Sequence, residues 1–132
     1  VERLILDTGV LIGLERGKVA AEEALPDDAD VAICAMTAAE LLVGVELADD
    51  LRRVLRQTII EGLIERVEIL DYDLNVARHH ASLPAHVRRA GEPRGAHDLQ
   101  IAATARAFDR AVITTDGSAF AALPGVSGRV IA

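Results

Sequence analysis

The fold turns on the run Gly95-Ala96-His97-Asp98-Leu99-Gln100-Ile101-Ala102-Ala103-Thr104. A polar, glycine-flanked loop, Gly91-Glu92-Pro93-Arg94-Gly95, ends where this run begins, and Asp98 stands at the mouth of a helical pattern. Ile101, Ala102, Ala105 and Phe108 recur at helical spacing, which predicts an amphipathic helix with one buried face. The next apolar run, Ala111-Val112-Ile113-Thr114, has the length and composition of a buried strand and stops just before another acid, Asp116.

The same alternation extends upstream. Arg3-Leu4-Ile5-Leu6 reads as a strand ending at Asp7, followed by a helix over Thr8 to Leu14 that breaks near Gly17. A short helix over Val19 to Leu25 is stopped by Pro26 and an acidic turn. Val31-Ala32-Ile33-Cys34 is the second strand, and helices come next over Thr37 to Ala48 and Leu51 to Leu63. Val67-Glu68-Ile69-Leu70 is the third strand; Asp73 then opens a helical region towards Gly91, which Pro84 is expected to kink or divide. After Asp116, a short helix near Ser118 to Leu123 and an edge strand over Gly128 to Ile131 complete the chain. Apolar strands alternating with amphipathic helices pair in parallel and carry helices on both faces. The expectation is an α/β fold, a three-layer α/β/α sandwich around a central, mainly parallel sheet, with residues 1–132 forming one domain.

Composition narrows the function. Hydrophobic residues make up 51% of the 132, too many for a disordered chain, and no linker or low-complexity tract divides them. No apolar stretch reaches membrane-spanning length, and the first residues carry no basic leader, so a cytoplasmic protein without a membrane partner is expected. A formal charge of −7 opposes broad electrostatic binding to nucleic acid, unless clustered acids hold a cation that reverses the local field. With 2% aromatics there is nothing to build a base-stacking platform, so any nucleic acid must be read through phosphate and shape. The lone Cys34 falls in an apolar strand, as a buried structural thiol does.

Asp7, Glu40, Asp98 and Asp116 all fall at helix mouths, and in such folds the crevice beyond the carboxyl ends of the strands takes the ligand. Each has a plain structural explanation. The aspartates suit helix N-caps, and Thr37-Ala38-Ala39-Glu40 has the form of a capping box. As a set they suggest more: carboxylates gathered in one crevice repel, and a divalent cation removes that cost. Oxygen ligands without cysteine or a paired-histidine motif favour Mg²⁺ or Mn²⁺ over Zn²⁺. His79, His80, His86 and His97 match no zinc spacing and read as solvated surface. Arg52, Arg53 and Arg56 also suit a solvated face, whereas Arg88, Arg89 and Arg94 lead towards Asp98 and are placed to guide an RNA backbone.

The stretches Leu6-Asp7-Thr8, Thr37-Ala38-Ala39-Glu40-Leu41-Leu42-Val43-Gly44, His97-Asp98-Leu99-Gln100-Ile101-Ala102-Ala103 and Ile113-Thr114-Thr115-Asp116 with Phe120 resemble the PIN-domain nucleases. More narrowly, the chain is similar to the VapC-type toxins of bacterial toxin–antitoxin pairs. The resemblance implies a Mg²⁺- or Mn²⁺-dependent endoribonuclease, a homodimer silenced by a VapB-type antitoxin, that hydrolyses RNA with activated water and no covalent intermediate. It makes Asp7, Glu40, Asp98 and Asp116 the metal-binding and catalytic acids, with Thr8 and Thr115 as accompanying hydroxyls. Gly9 and Ala119 depart from the family pattern, and Ala119 replaces an acid, so one metal is expected. The rival readings are a PIN nuclease of RNA processing, an aspartate-based phosphatase (which needs a second Asp where Gly9 stands), and an inactive binding module whose acids are only caps.

Overall fold

In the computed structural model, which describes residues 1–131, β1 (Arg3–Leu6) runs through the middle of a five-stranded sheet. Its neighbours are β2 (Asp30–Cys34) and β4 (Ala111–Thr114), and the edges are β3 (Glu68–Leu70) and β5 (Gly128–Val130). The order is β3-β2-β1-β4-β5, and every pair is parallel. Ile5 aligns with Ala32 on one side and Val112 on the other, so the centre of the sheet is apolar on both faces. Side chains alternate as a pleat requires. Leu4, Leu6, Ile33 and Ile113 enter one core, while Ile5, Ala32, Cys34 and Val112 enter the other.

Among the described residues, seven helices supply the outer layers. α1 (Thr8–Glu15), α2 (Ala21–Ala24), α3 (Ala35–Leu47) and α4 (Asp50–Arg66) cover the first core through Val10, Leu11, Leu41, Val45, Ile60 and Leu63. α5 (Leu74–Ala90) and α6 (Ala96–Ala107) cover the second through Val76, Leu83, Leu99, Ala102 and Ala103, joined by Phe120 from α7 (Gly117–Phe120). This is the three-layer sandwich expected, with a sheet that is wholly rather than mainly parallel. Among the described residues, no helix is long and apolar enough to cross a membrane.

Three local expectations need correcting. α3 starts at Ala35, directly after β2, with no intervening loop. Thr37 is therefore inside the helix and fully buried, so Thr37–Glu40 is not a capping box and Glu40 lies in the second turn. Pro84 sits within α5 without dividing it, and the helix ends instead at Gly91, whose φ of 69° is the left-handed conformation that glycine adopts at low cost. The last short helix is Gly117–Phe120, ending before Leu123.

The strand order reverses direction between β1 and β4, because successive connections from β1 lead one way to β2 and β3, while β4 lies on the other side. Such a switch point opens a crevice at the carboxyl ends of the strands. Asp7 follows β1 and Asp116 follows β4, on either side of it. The opposite, amino-terminal rim is closed by Arg110. Its side chain is 1% exposed and donates to the carbonyls of Leu4 and Asp30 and to the carboxylates of Asp30 (2.9 Å) and Glu68 (3.0 Å). One guanidinium thus ties together the starts of β1, β2 and β3 from the residue before β4.

Candidate metal centre

Asp7 is buried, and although it precedes α1 its side chain caps nothing. Its Oδ2 accepts a hydrogen bond of 2.8 Å from the hydroxyl of Thr114 at the end of β4. The same hydroxyl oxygen accepts the backbone N–H of Asp116 at 2.9 Å. Thr114 therefore joins the acid after β1 to the acid after β4 across the switch point. Sequence reasoning singled out Thr8 and Thr115 and missed Thr114; the available signal was a polar residue on the buried side of the last strand position.

Asp116 is the one acid of the set that acts as a helix cap. Its Oδ1 accepts both the backbone N–H (3.0 Å) and the hydroxyl (2.7 Å) of Ser118. Those hydrogen bonds hold its carboxyl below the usual carboxylate range. Loading them on a single oxygen leaves the other to point elsewhere.

Asp98 lies in the first turn of α6, whose N-cap is Gly95 rather than Asp98 itself. A methyl group at Gly95 would come within 3.3 Å of Asp98 Oδ2, so glycine gives the carboxylate room to fold back over the helix mouth. Burial pushes the Asp98 carboxyl above its ordinary range, and the charges of Asp7 and Asp116 push it further, while His97 and Arg94 oppose the shift. That interaction shows Asp7, Asp98 and Asp116 sharing one electrostatic neighbourhood.

Glu40 stands at the rim on α3. Its Oε1 is buried, 3.0 Å from His97 Nδ1, yet off the hydrogen-bonding direction of the ring, so it accepts no hydrogen bond. Next to it, Thr37 lies within 3.3 Å of the Thr8 hydroxyl and 3.1 Å of Cys34 Sγ, pinning the start of α1 to the start of α3. Cys34 is thus a buried structural thiol. Thr115 is exposed and packs 3.4 Å from where a Gly9 side chain would begin.

Thr114 links Asp7 to the backbone of Asp116, Asp98 feels the charge of both, and Glu40 stands beside His97, the residue before Asp98. Among the described residues, no three or more His, Cys, Asp or Glu side chains converge tightly enough to hold a metal ion as they stand. The donor set nevertheless fits a hard divalent cation: every candidate donor is a carboxylate oxygen, the Asp98 charge is disfavoured by burial and then by its acidic neighbours, and buried Glu40 Oε1 accepts no hydrogen bond. Elsewhere, Arg52 and Arg53 pair with Asp49 and Asp50 on an exposed stretch of α4, but Arg56 is not on a solvated face: its Nε lies 2.7 Å from partly buried Glu15 of α1. Arg94 does not face outward towards an RNA strand; its side chain is 13% exposed.

Comparison with known proteins turns this geometry into a family. The PIN domain profile matches residues 4–126. The chain belongs to the PIN-domain family. Within that family it groups with the VapC ribonucleases. It is 38% identical over 125 residues to ribonuclease VapC5 of Mycobacterium tuberculosis, covering 93% of this chain and 89% of that one. It is 30% identical over 126 residues to the tRNA(fMet)-specific endonuclease VapC of Shigella flexneri, covering 94% of each. The crystal structure of DNA-bound VapBC from Salmonella typhimurium superposes with a TM-score of 0.85 at 28% identity, over 98% of both chains. This PIN domain is a ribonuclease.

Proposed function

We propose that the chain is the toxin of a toxin–antitoxin pair, a cytoplasmic endoribonuclease whose single domain uses Mg²⁺ or Mn²⁺ held by Asp7, Asp98 and Asp116, with Glu40 closing the site. The observation that carries this reading is the Asp98 carboxyl, raised by burial and by two acidic neighbours. A carboxylate that burial and two like charges disfavour is costly to keep ionised at a switch point, and a bound cation offsets the cost.

A divalent ion bound there supplies Lewis acidity, polarising a phosphodiester and acidifying water beside it. The chain's own residues do the placing. Thr114 holds one oxygen of Asp7 and sets the backbone of Asp116. Ser118 fixes the Asp116 carboxylate from the far side. Gly95 leaves space for the Asp98 carboxylate over the α6 mouth. Asp98 is the group whose protonation competes with a cation most directly. The paucity of aromatic side chains leaves the RNA to be read through its backbone and shape.

A VapB-type antitoxin as partner is supported by the VapBC complexes among the solved relatives and by a groove on the far side of the first core. That groove, of about 380 Å³, runs between α1, α2 and α4 and is lined by Leu11, Leu14, Leu25, Ile59 and Leu63. It suits the apolar face of a partner helix. Val43, Leu47, Leu51, Val54 and Leu55 remain exposed along α3 and α4, more apolar surface than a monomer needs, and this supports a homodimer as the second association.

The test is cleavage of labelled total RNA and of a tRNA pool by the purified chain in Mn²⁺ or Mg²⁺. Discrete fragments, lost with EDTA and with Asp98→Asn, are expected. RNA left intact in both metals, or cut equally in EDTA, would refute the metal-dependent reading.

A further inference from the structure

Asp98 and Asp116 are carried by separate segments: Asp98 by the first turn of α6, just behind the loop that enters it, and Asp116 by the turn that enters α7. Among the described residues, no hydrogen bond between their own side chains holds that separation. An arginine whose side chain is largely buried lies where the two segments meet.

We infer that Arg94 is a positioning residue that fixes Asp98 relative to Asp116 by tying the loop before α6 to the end of α7. The geometry is specific. Arg94 Nη1 donates to the carbonyl of Glu92 at 2.8 Å and lies 3.4 Å from that of Pro93, holding its own loop in shape. Arg94 Nη2 donates at 2.9 Å to the carbonyl of Ala121, the residue that ends α7. Asp116 caps the other end of that four-residue helix, so the tether reaches it through a single turn. The residue after Ala121, Ala122, has a φ of 59°, a left-handed conformation unfavourable for alanine that needs its surroundings to hold it. The arginine also adjoins the last turn of α5, in a small cleft with His86, Val87, Ala90 and Leu123. Glu92 Oε2, 3.8 Å away, adds an ion pair at the surface.

A planar guanidinium sets Nη1 and Nη2 at a fixed spacing, one on each segment, and the single nitrogen of an ammonium does not reproduce that fork. Charge alone does not account for the residue. A fixed cation beside the carboxylates stabilises them against each other, but it also opposes a metal ion. The tether and the charge therefore predict opposite effects on metal binding, and that difference makes the idea testable.

The inference rests on the metal-nuclease reading above. The experiment is calorimetric titration of Mn²⁺ into the wild-type chain, Arg94→Lys and Arg94→Met, without RNA, at a temperature where circular dichroism shows all of them folded. Steady-state cleavage of an RNA oligonucleotide is followed in parallel. Both variants are expected to bind Mn²⁺ on the order of 10–100-fold more weakly, as loss of a residue that orients metal ligands does, with kcat reduced and KM little changed. Wild-type affinity in Arg94→Lys, or tighter binding by Arg94→Met, would show that only the charge matters and would overturn the tether. A fall in melting temperature with unchanged Mn²⁺ affinity would also overturn it, by showing a purely structural residue. Absence of Mn²⁺ binding by the wild-type chain would instead overturn the metal reading itself, and this inference with it.

Discussion

The two rims of the sheet carry the same kind of residue in opposite circumstances. At the amino-terminal rim, Asp30 and Glu68 meet Arg110, whose buried guanidinium satisfies both carboxylates and two backbone carbonyls. At the carboxyl rim, Asp98 has no such cation: burial, and then the charges of Asp7 and Asp116, push its carboxyl above the ordinary range. Carboxylates paired with a resident cation hold a fold together; carboxylates gathered with no full partner store a cost that a ligand can relieve. The difference separates acids that are paired within the fold from an acid left open to a ligand, without reference to sequence motifs.

The sharpest way to break that contrast is to remove an acid from each rim. Asp7→Asn and Asp98→Asn should each lower kcat about a thousandfold or more, roughly 4 kcal/mol of transition-state stabilisation, in single-turnover cleavage of RNA. Asp30→Asn should leave kcat of the folded protein unchanged. Next in size is Arg110→Met. It strips the cation from two acids and should cost about 2–3 kcal/mol in denaturant unfolding, below the range for a fully enclosed pair because Asp30 and Glu68 still touch water. Its effect on kcat per folded molecule should be small.

Thr114→Val sharpens the carboxyl-rim half of the comparison. It deletes the hydroxyl that joins Asp7 to the Asp116 backbone and should reduce kcat and Mn²⁺ affinity on the order of tenfold, with Thr114→Ser restoring both. An unchanged kcat in Thr114→Val would show that Asp7 needs no fixing.

The smallest expected effects differ in sign between the rims. The hydrogen bond from Arg110 holds the Asp30 carboxyl below the usual range, so its contribution to stability is present above that range and is lost as pH falls through the lowered value. Asp98 is shifted the other way, so in metal-free protein stability declines as pH rises from the usual carboxylate range through the raised value. Near neutrality, Asp30→Asn should therefore lower the melting temperature and Asp98→Asn should raise it, and both differences should shrink in acid. Melting curves between pH 3 and 7 in EDTA are the check.

Much of this was legible in the sequence, for physical reasons. Short apolar runs such as Leu4-Ile5-Leu6 and Val112-Ile113 declare buried parallel strands because both of their faces must be covered. Asp7 and Asp116 stand out in the sequence because each follows such a strand. What escaped depended on distance or on junction geometry. Arg110 reaches partners 42, 80 and 106 residues away, and no local pattern announces them. Thr37-Ala38-Ala39-Glu40 has the composition of a capping box, but the chain passes from β2 into α3 without a loop, which moves Thr37 into the core beside Thr8 and Cys34. The same local rules suggested that Asp7, Asp98 and Asp116 each cap a helix. Only Asp116 does, because Thr114 claims Asp7 and Gly95 occupies the cap before Asp98. Arg94 looked available to RNA from its loop composition, and it is the carbonyls of Glu92 and Ala121 that draw it inward.

The most direct test of the account is a pair of melting curves, wild type and Asp98→Asn near pH 7, each in EDTA and in saturating Mn²⁺. In EDTA the variant should melt higher, because a half-buried charge and its repulsion by Asp7 and Asp116 are gone. In Mn²⁺ at about a hundred times its Kd the wild type should gain about 2.7 kcal/mol and overtake a variant that gains little. A wild type that melts above Asp98→Asn in EDTA, or that Mn²⁺ leaves unmoved, would contradict the claim that these acids are held in wait for a cation.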